Sequence, residues 1–166
     1  NIPLSIKSGN YIVKSDATID EFIDQLNKGI DEDTIKITIP EGYDINKIAL
    51  FLEEKEIIKK EDFIKKCREY EKPKYIKDIN NRKYVLEGYL FPDTYNFKKH
   101  MDSEKIISIM YNRFEEVMKD LKNKYEIQDE KLDEIITLAS IVEKEAEVNE
   151  ERGKVASVFY NRIKVG

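Results

Sequence analysis

A glutamate placed among apolar residues at helical spacing is the feature of this sequence with the clearest chemical use. Between Leu132 and Glu147, Leu132, Ile135, Ile136, Ala139, Val142 and Ala146 share a stripe roughly 120° wide at about 100° per residue. Glu143 falls near the middle of that stripe, Glu145 projects to the opposite side, and Glu147 lies on its edge. Apolar neighbours disfavour the charged form of a carboxyl group, so the pKa of Glu143 is expected to rise. A raised pKa is what a general acid needs near neutral pH. Two plainer readings stand beside this one. Glutamates on helices are rarely fully buried, so Glu143 can be a solvated residue, or it can be a structural ion-pair partner of Arg152 or Arg162.

The second feature is the segment Leu86 to Tyr95, LEGYLFPDTY, within which and around which Tyr84, Tyr89, Phe91, Tyr95 and Phe97 alternate. Flat aromatic faces suit the apolar faces of sugar rings, and phenol tips can hydrogen-bond hydroxyls. The same pattern also fits a β-segment that packs half its rings into a core. Glu87 and Asp93 are candidate ligands or turn caps. His100, among Lys98, Lys99 and Met101, reads as a solvated loop residue, and Cys67 as core filler. One histidine and one cysteine exclude an HExxH site, a multi-cysteine zinc site and an intrachain disulfide. There is no glycine-rich phosphate loop to support a nucleotide enzyme, and neither metal nor cofactor is called for.

The elements that must position these residues follow from periodicity. Residues 1 to 15 read as extended, with a turn at Ser8-Gly9-Asn10. Thr18 and Glu21 form a capping-box pattern opening a short helix that Gly29 stops. Thr34 to Pro40 alternates as a strand with Ile35, Ile37 and Ile39 on one face. Asp44 caps a helix carrying Ile45, Ile48, Ala49 and Leu52, and a third helix surrounds Phe63, Ile64, Cys67 and Tyr70. The polar stretch Glu71 to Arg82 is the best boundary. Long helices are expected over about Ser103 to Tyr125 and Glu130 to Val148, and a last one after Asn149. The expected architecture is α+β, a small mixed domain over 1–72 followed by a mainly helical domain over 73–166 with a short aromatic β-segment.

The chain has 166 residues, of which 40% are hydrophobic and 38% charged, with a net charge of −5. That length and apolar content suffice for a sizeable core and argue against global disorder. The acidic balance argues against a nucleic-acid partner, because phosphate contact needs a basic face. No run of about 18 apolar residues is present to span a membrane, and no signal-peptide pattern is visible.

Three motifs in order, LEGYLFPDTY at 86–95, ASIVEKEA at 139–146, and Glu151-Arg152 followed by VASVFYNR at 155–162, give the chain a specific likeness. Together they resemble the endolytic murein transglycosylase, or YceG-like, family across most of the chain. Ile39-Pro40-Glu41-Gly42 and the helices after it resemble the family's LysM-like subdomain, a module type associated with N-acetylglucosamine-containing glycans. The resemblance implies an enzyme that cuts peptidoglycan strands internally, between N-acetylmuramic acid and N-acetylglucosamine, and leaves 1,6-anhydro-muramyl ends without adding water. It implies that Glu143, the first glutamate of VEKE, is the catalytic residue. Tyr89, Phe91, Tyr95 and Asn161 are then expected sugar contacts, with Glu87 and Asp93 supporting them. It further implies a single-pass anchor in the cytoplasmic membrane, action outside that membrane, and cell-wall synthesis proteins as partners. Family members continue past the Asn161-Arg162 pair, so this stretch is expected to hold only part of the catalytic domain, which leaves its activity alone open. A non-catalytic glycan-binding or synthase-positioning module is the competing reading.

Overall fold

A computed structural model describes residues 18–28, 34–77, 82–146 and 148–165. The extended reading of residues 1–15 and the stop at Gly29 lie outside the described residues. In chain order the elements are helix α1 (Ile19–Lys28), strand β1 (Thr34–Thr38), helices α2 (Ile45–Glu54) and α3 (Lys60–Glu69), strand β2 (Thr94–Lys98), and helices α4 (Ser103–Tyr125), α5 (Asp129–Glu145) and α6 (Arg152–Val165). The described chain is therefore mixed α/β and mostly helical, with a single two-stranded sheet.

Local chemistry accounts for the element ends. The Thr18 backbone N–H donates to Glu21 Oε2 at 2.8 Å and the Glu21 N–H returns to Thr18 Oγ1 at 3.3 Å, the reciprocal capping box expected at α1. Asp44 accepts from Lys47 N at 2.8 Å to open α2. Asp102 accepts from the N–H groups of Glu104 and Lys105 to open α4. At the other end of α4, Glu126 turns left-handed at φ 51° with its N–H on the Lys122 carbonyl. The chain leaves α5 at Ala146 and returns through a short 3-10 turn, Asn149–Glu151, into α6. The helix reading to Val148 overshoots, because Ala146 and Val148 are both extended.

β1 and β2 pair antiparallel with Ile37 opposite Tyr95 and Ile35 opposite Phe97. Their alternation sends Ile37, Tyr95 and Phe97 inward. Behind the sheet, α2 packs on α3 and α3 on α4. Ile45, Ile48, Ala49 and Leu52 of α2, Phe63 and Cys67 of α3, and Ile106, Ile107, Met110 and Phe114 of α4 fill the space between them. Each such large side chain taken out of water contributes about 1.5–3 kcal/mol. One continuous core runs from Ile37 to Leu132. Both the sheet and this core are built from residues on either side of position 72.

The aromatic segment is not one β-run. Only Thr94–Lys98 is strand, and residues 85–90 form turns in which Gly88 adopts φ +86°.

Candidate active site

An open cleft of about 400 Å³ lies between α4, α5 and two turns. The turn after β1 contributes Pro40, Gly42 and Tyr43. The turn before β2 contributes Gly88, Leu90, Phe91 and Pro92. Helix α4 supplies Phe114, Val117, Met118 and Leu121, and α5 supplies Ile136, Ala139, Ser140, Val142 and Glu143. Arg152, the first residue of α6, completes the lining.

The two turns are held in place by specific bonds. Glu87 Oε1 accepts the backbone N–H of Ile45 at 3.1 Å, which ties the turn before β2 to the start of α2. Burial pushes the Glu87 carboxyl above its ordinary range, although the Ile45 N–H pulls the other way. Phe91 N–H reaches the Met110 carbonyl of α4. Asp93 Oδ2 accepts from Arg113 Nε at 2.7 Å. The N–H of Thr94 together with Arg113 holds the Asp93 carboxyl below the usual carboxylate range. Gly88 faces α5 so closely that a Cβ there would sit 3.3 Å from Ile136 Cγ2. A left-handed glycine is what allows this turn to lie against the helix.

Helix α5 is anchored by an acid that sequence reasoning passed over. Asp133 is 2% exposed. It accepts from Tyr89 Oη at 2.5 Å, Arg82 Nη2 at 2.7 Å and the Lys77 backbone N–H at 3.1 Å. Burial alone would push its carboxyl pKa up, but these donors outweigh burial and hold it below its ordinary value. No periodicity marks Asp133, because its partners come from a segment far away in sequence. A parallel cluster joins Tyr75, Tyr111 and Glu115, with Glu115 Oε1 accepting from Tyr111 Oη at 2.6 Å and also from Tyr75.

The residues proposed from sequence separate into two groups. Glu143 and Phe91 line the cleft. Tyr89 is 1% exposed and its hydroxyl is spent on Asp133. Tyr95 is buried too, stacked on Phe97 with its hydroxyl on the Phe91 carbonyl at 2.5 Å. Both rings thus pack in the core. Glu87 and Asp93 hold the turns rather than line the cleft, and Asn161 is exposed on α6.

Glu143 is exposed, contrary to the burial its place on the stripe predicts. The stripe opens onto the cleft instead of a closed core: Leu132 and Val142 are buried, whereas Ile136 is half-buried and Ala139 exposed on the cleft wall. Among the described residues the side chains of Glu143 and Arg152 make no hydrogen bond or ion pair, so the alternative reading of Glu143 as an ion-pair partner of Arg152 or Arg162 is not what the structure shows. Tyr43 and Arg152 were missed as cleft residues. The turn signal Pro40-Glu41-Gly42, which leaves the following ring 38% exposed, was the available clue for Tyr43.

The cleft thus offers one unpartnered carboxyl group against apolar walls with aromatic edges. Such a group can protonate or deprotonate an oxygen of a bound molecule, and the walls suit a ring with one apolar face.

Residues 2–166 match the YceG-like family. A protein of Bacillus subtilis named endolytic murein transglycosylase is 31% identical over 170 residues, covering 95% of this chain and 47% of the relative. A protein of the same name from Streptococcus pneumoniae is 30% identical over 181 residues, covering 95% of this chain and 33% of the relative. This chain thus spans less than half the length of either. The crystal structure of a YceG-like protein from Listeria monocytogenes superposes with a TM-score of 0.62 at 30% identity, over 96% of this chain and 57% of that one. The chain belongs to the YceG-like family.

Proposed function

We propose that this chain is part of an endolytic peptidoglycan lytic transglycosylase and that Glu143 is its acid–base residue. The observation that carries the reading is that, among the described residues, Glu143 is the single carboxylate lining an otherwise largely apolar cleft and has no ion-pair partner to divert it. The names of the Bacillus and Streptococcus relatives support the reaction class.

A hydrolysing glycosidase uses two carboxyl groups, one of them to activate water or attack the sugar. A lytic transglycosylase needs one. Glu143 would donate its proton to the glycosidic oxygen linking N-acetylmuramic acid to N-acetylglucosamine as the bond from that oxygen to the muramyl C1 breaks. The muramyl C6 hydroxyl then bonds to C1, and its proton returns to the Glu143 carboxylate. The result is a 1,6-anhydro ring and a free N-acetylglucosamine hydroxyl, with the acid regenerated and no water consumed. Phe91 and Tyr43 provide ring faces against which a sugar can pack. Glu87 and Asp93 act indirectly, through the turns they hold.

The reading extends to the whole protein as a cell-wall enzyme of the outer side of the cytoplasmic membrane, carried by a single-pass anchor and working beside wall-synthesis proteins. The β1–α2–α3 stretch is its LysM-like glycan-binding part. Among the described residues no helix is long and apolar enough to cross a membrane.

The test is Glu143→Gln in the full-length protein, with anhydro-muramyl ends on purified glycan strands counted by mass spectrometry. Loss of a positioned acid–base group costs about 10²- to 10⁴-fold in rate. Unchanged release of anhydro ends removes Glu143 from the mechanism. Glycan binding without any new ends in the unsubstituted protein favours the binding-module reading instead.

A further inference from the structure

We infer that Arg152 reads a negative charge on the glycan, binding a carboxylate carried by the muramyl residue while Glu143 acts on the neighbouring bond; this rests on the function proposed above. Among the described residues, Glu143 and Arg152 are the two ionisable side chains lining the cleft besides the phenol of Tyr43. The remaining lining is almost wholly apolar, and Arg152 is exposed at the edge of the cleft, where a planar guanidinium is free to take an anion in two parallel bonds. Among the described residues the Arg152 side chain has no partner. Glu150 and Glu151, its neighbours in the 3-10 turn, are exposed and make no ion pair with it, and Glu143 lies in the same cleft without closing on it. Arg152 also opens the 14-residue helix α6, directly after the 3-10 turn whose Asn149 carbonyl accepts the Arg152 backbone N–H, so its side chain leaves the chain at a fixed point.

The chemistry of the polymer narrows what this cation meets. Neither sugar ring of the glycan is charged. The negative groups are carboxylates on the muramyl lactyl arm: the lactyl carboxylate itself where the stem peptide has been removed, or carboxylates of the stem where it is present. A planar guanidinium takes either in a two-bond fork. An arginine here marks the muramyl side of the scissile bond, so it distinguishes this glycan from an uncharged N-acetylglucosamine polymer and fixes which way a strand lies across Glu143.

The test uses the full-length protein carrying Glu143→Gln, so that strands are bound but not consumed. Calorimetric affinities are measured for three ligands of matched length: peptide-bearing strands, strands stripped of peptide with free lactyl carboxylates, and a neutral chito-oligosaccharide. Adding Arg152→Gln is expected to weaken at least one acidic ligand by about 10- to 100-fold, as loss of a charge-assisted pair does. The neutral ligand is expected to stay within about twofold, since no charge on it needs a partner. Whichever acidic strand loses affinity identifies the source of the carboxylate. Arg152→Lys keeps the charge but not the fork, and is expected to recover part of the loss. This second variant also serves if Arg152→Gln melts early. Equal weakening of the neutral and acidic ligands, or no weakening of any, overturns the inference while leaving the transglycosylase reading intact. Failure of the protein with Arg152 in place to bind any of the three overturns both.

Discussion

Removing the carboxylate of Asp133 is the sharpest test of how the cleft is built. Asp133 is 2% exposed and receives three donors. Asp133→Ala leaves the Tyr89 hydroxyl unpaired in the core and the Arg82 guanidinium, whose side chain is 16% exposed, without its counter-ion. The second nitrogen of that guanidinium, Nη1, is already buried with no partner, so Arg82 has little else to turn to. Breaking a buried ion pair from one side costs about 3–5 kcal/mol. Since a domain of this kind is stable by about 5–15 kcal/mol, the urea midpoint should fall by roughly a fifth or more with the slope unchanged. Taking Arg82 away as well, in an Arg82→Leu/Asp133→Ala pair, removes the stranded charge, so the double variant should lose clearly less than the sum of the two single losses. The acid limb gives an independent check. The folded-state pKa of Asp133 lies below its unfolded value, so the carboxylate stabilises the fold above pH of about 4. That contribution disappears as pH falls through the depressed folded value. The gap between the unsubstituted protein and Asp133→Ala should therefore be widest near neutrality and close on acidification. A loss below about 1 kcal/mol at pH 7, against the several expected of a buried pair, refutes the network as an anchor of α5. Asp133 and Glu143 sit on the same helix, roughly 15 Å apart along its axis at 1.5 Å per residue. On the function proposed above, weakening the anchor should therefore also lower release of anhydro-muramyl ends by the full-length protein at temperatures where it remains folded.

Gly88→Ala is expected to cost about 1–2 kcal/mol for the left-handed backbone alone. Pushing against Ile136 adds to that, so both thermal stability and glycan affinity should fall; an unchanged melting temperature would show that the turn does not need glycine. Burial, with a smaller contribution from Glu87, pushes the Cys67 thiol up to about 12. Cys67 should therefore ignore a thiol reagent at pH 8 in the folded protein and react at once in denaturant, whereas rapid labelling of the native form would mean that the α2–α3 packing opens.

The periodic elements were legible because their information is local. Ile106, Ile107, Met110, Phe114 and Met118 repeat at helical spacing, and they are the buried residues of α4. Ile35, Ile37 and Ile39 alternate, and Ile37 and Ile39 are buried at β1 and just beyond it. The capping pair Thr18 and Glu21 and the cap at Asp44 also read directly. What escaped was set by distant partners. Tyr89 reads as a sugar contact within an alternating run, yet its hydroxyl is claimed by an acid 44 residues further on. Glu143 was placed on the correct helix and stripe, but a stripe records which residues are apolar, not whether another element covers them. In the sequence Arg152 reads as a partner for Glu143 and as part of the third motif, not as a cleft residue. Its role as a separate cleft residue depends on the break after α5, where Ala146 and Val148 are extended and redirect the chain.

The pairing of β1 with β2 sets an order on folding. Thr38 and Thr94, whose hydroxyls bond across the sheet at 2.8 Å, stand 56 residues apart. During synthesis the first strand must wait, its edge unsatisfied, until the ribosome has released everything through Lys98. Closing so long a loop is slow compared with winding α2 and α3, so the helices become the earlier scaffold and the sheet the late clasp. Because the turns that carry Tyr43 and Phe91 flank those strands, the cleft takes shape only at that last step, and a nascent chain has no such groove until the clasp is shut.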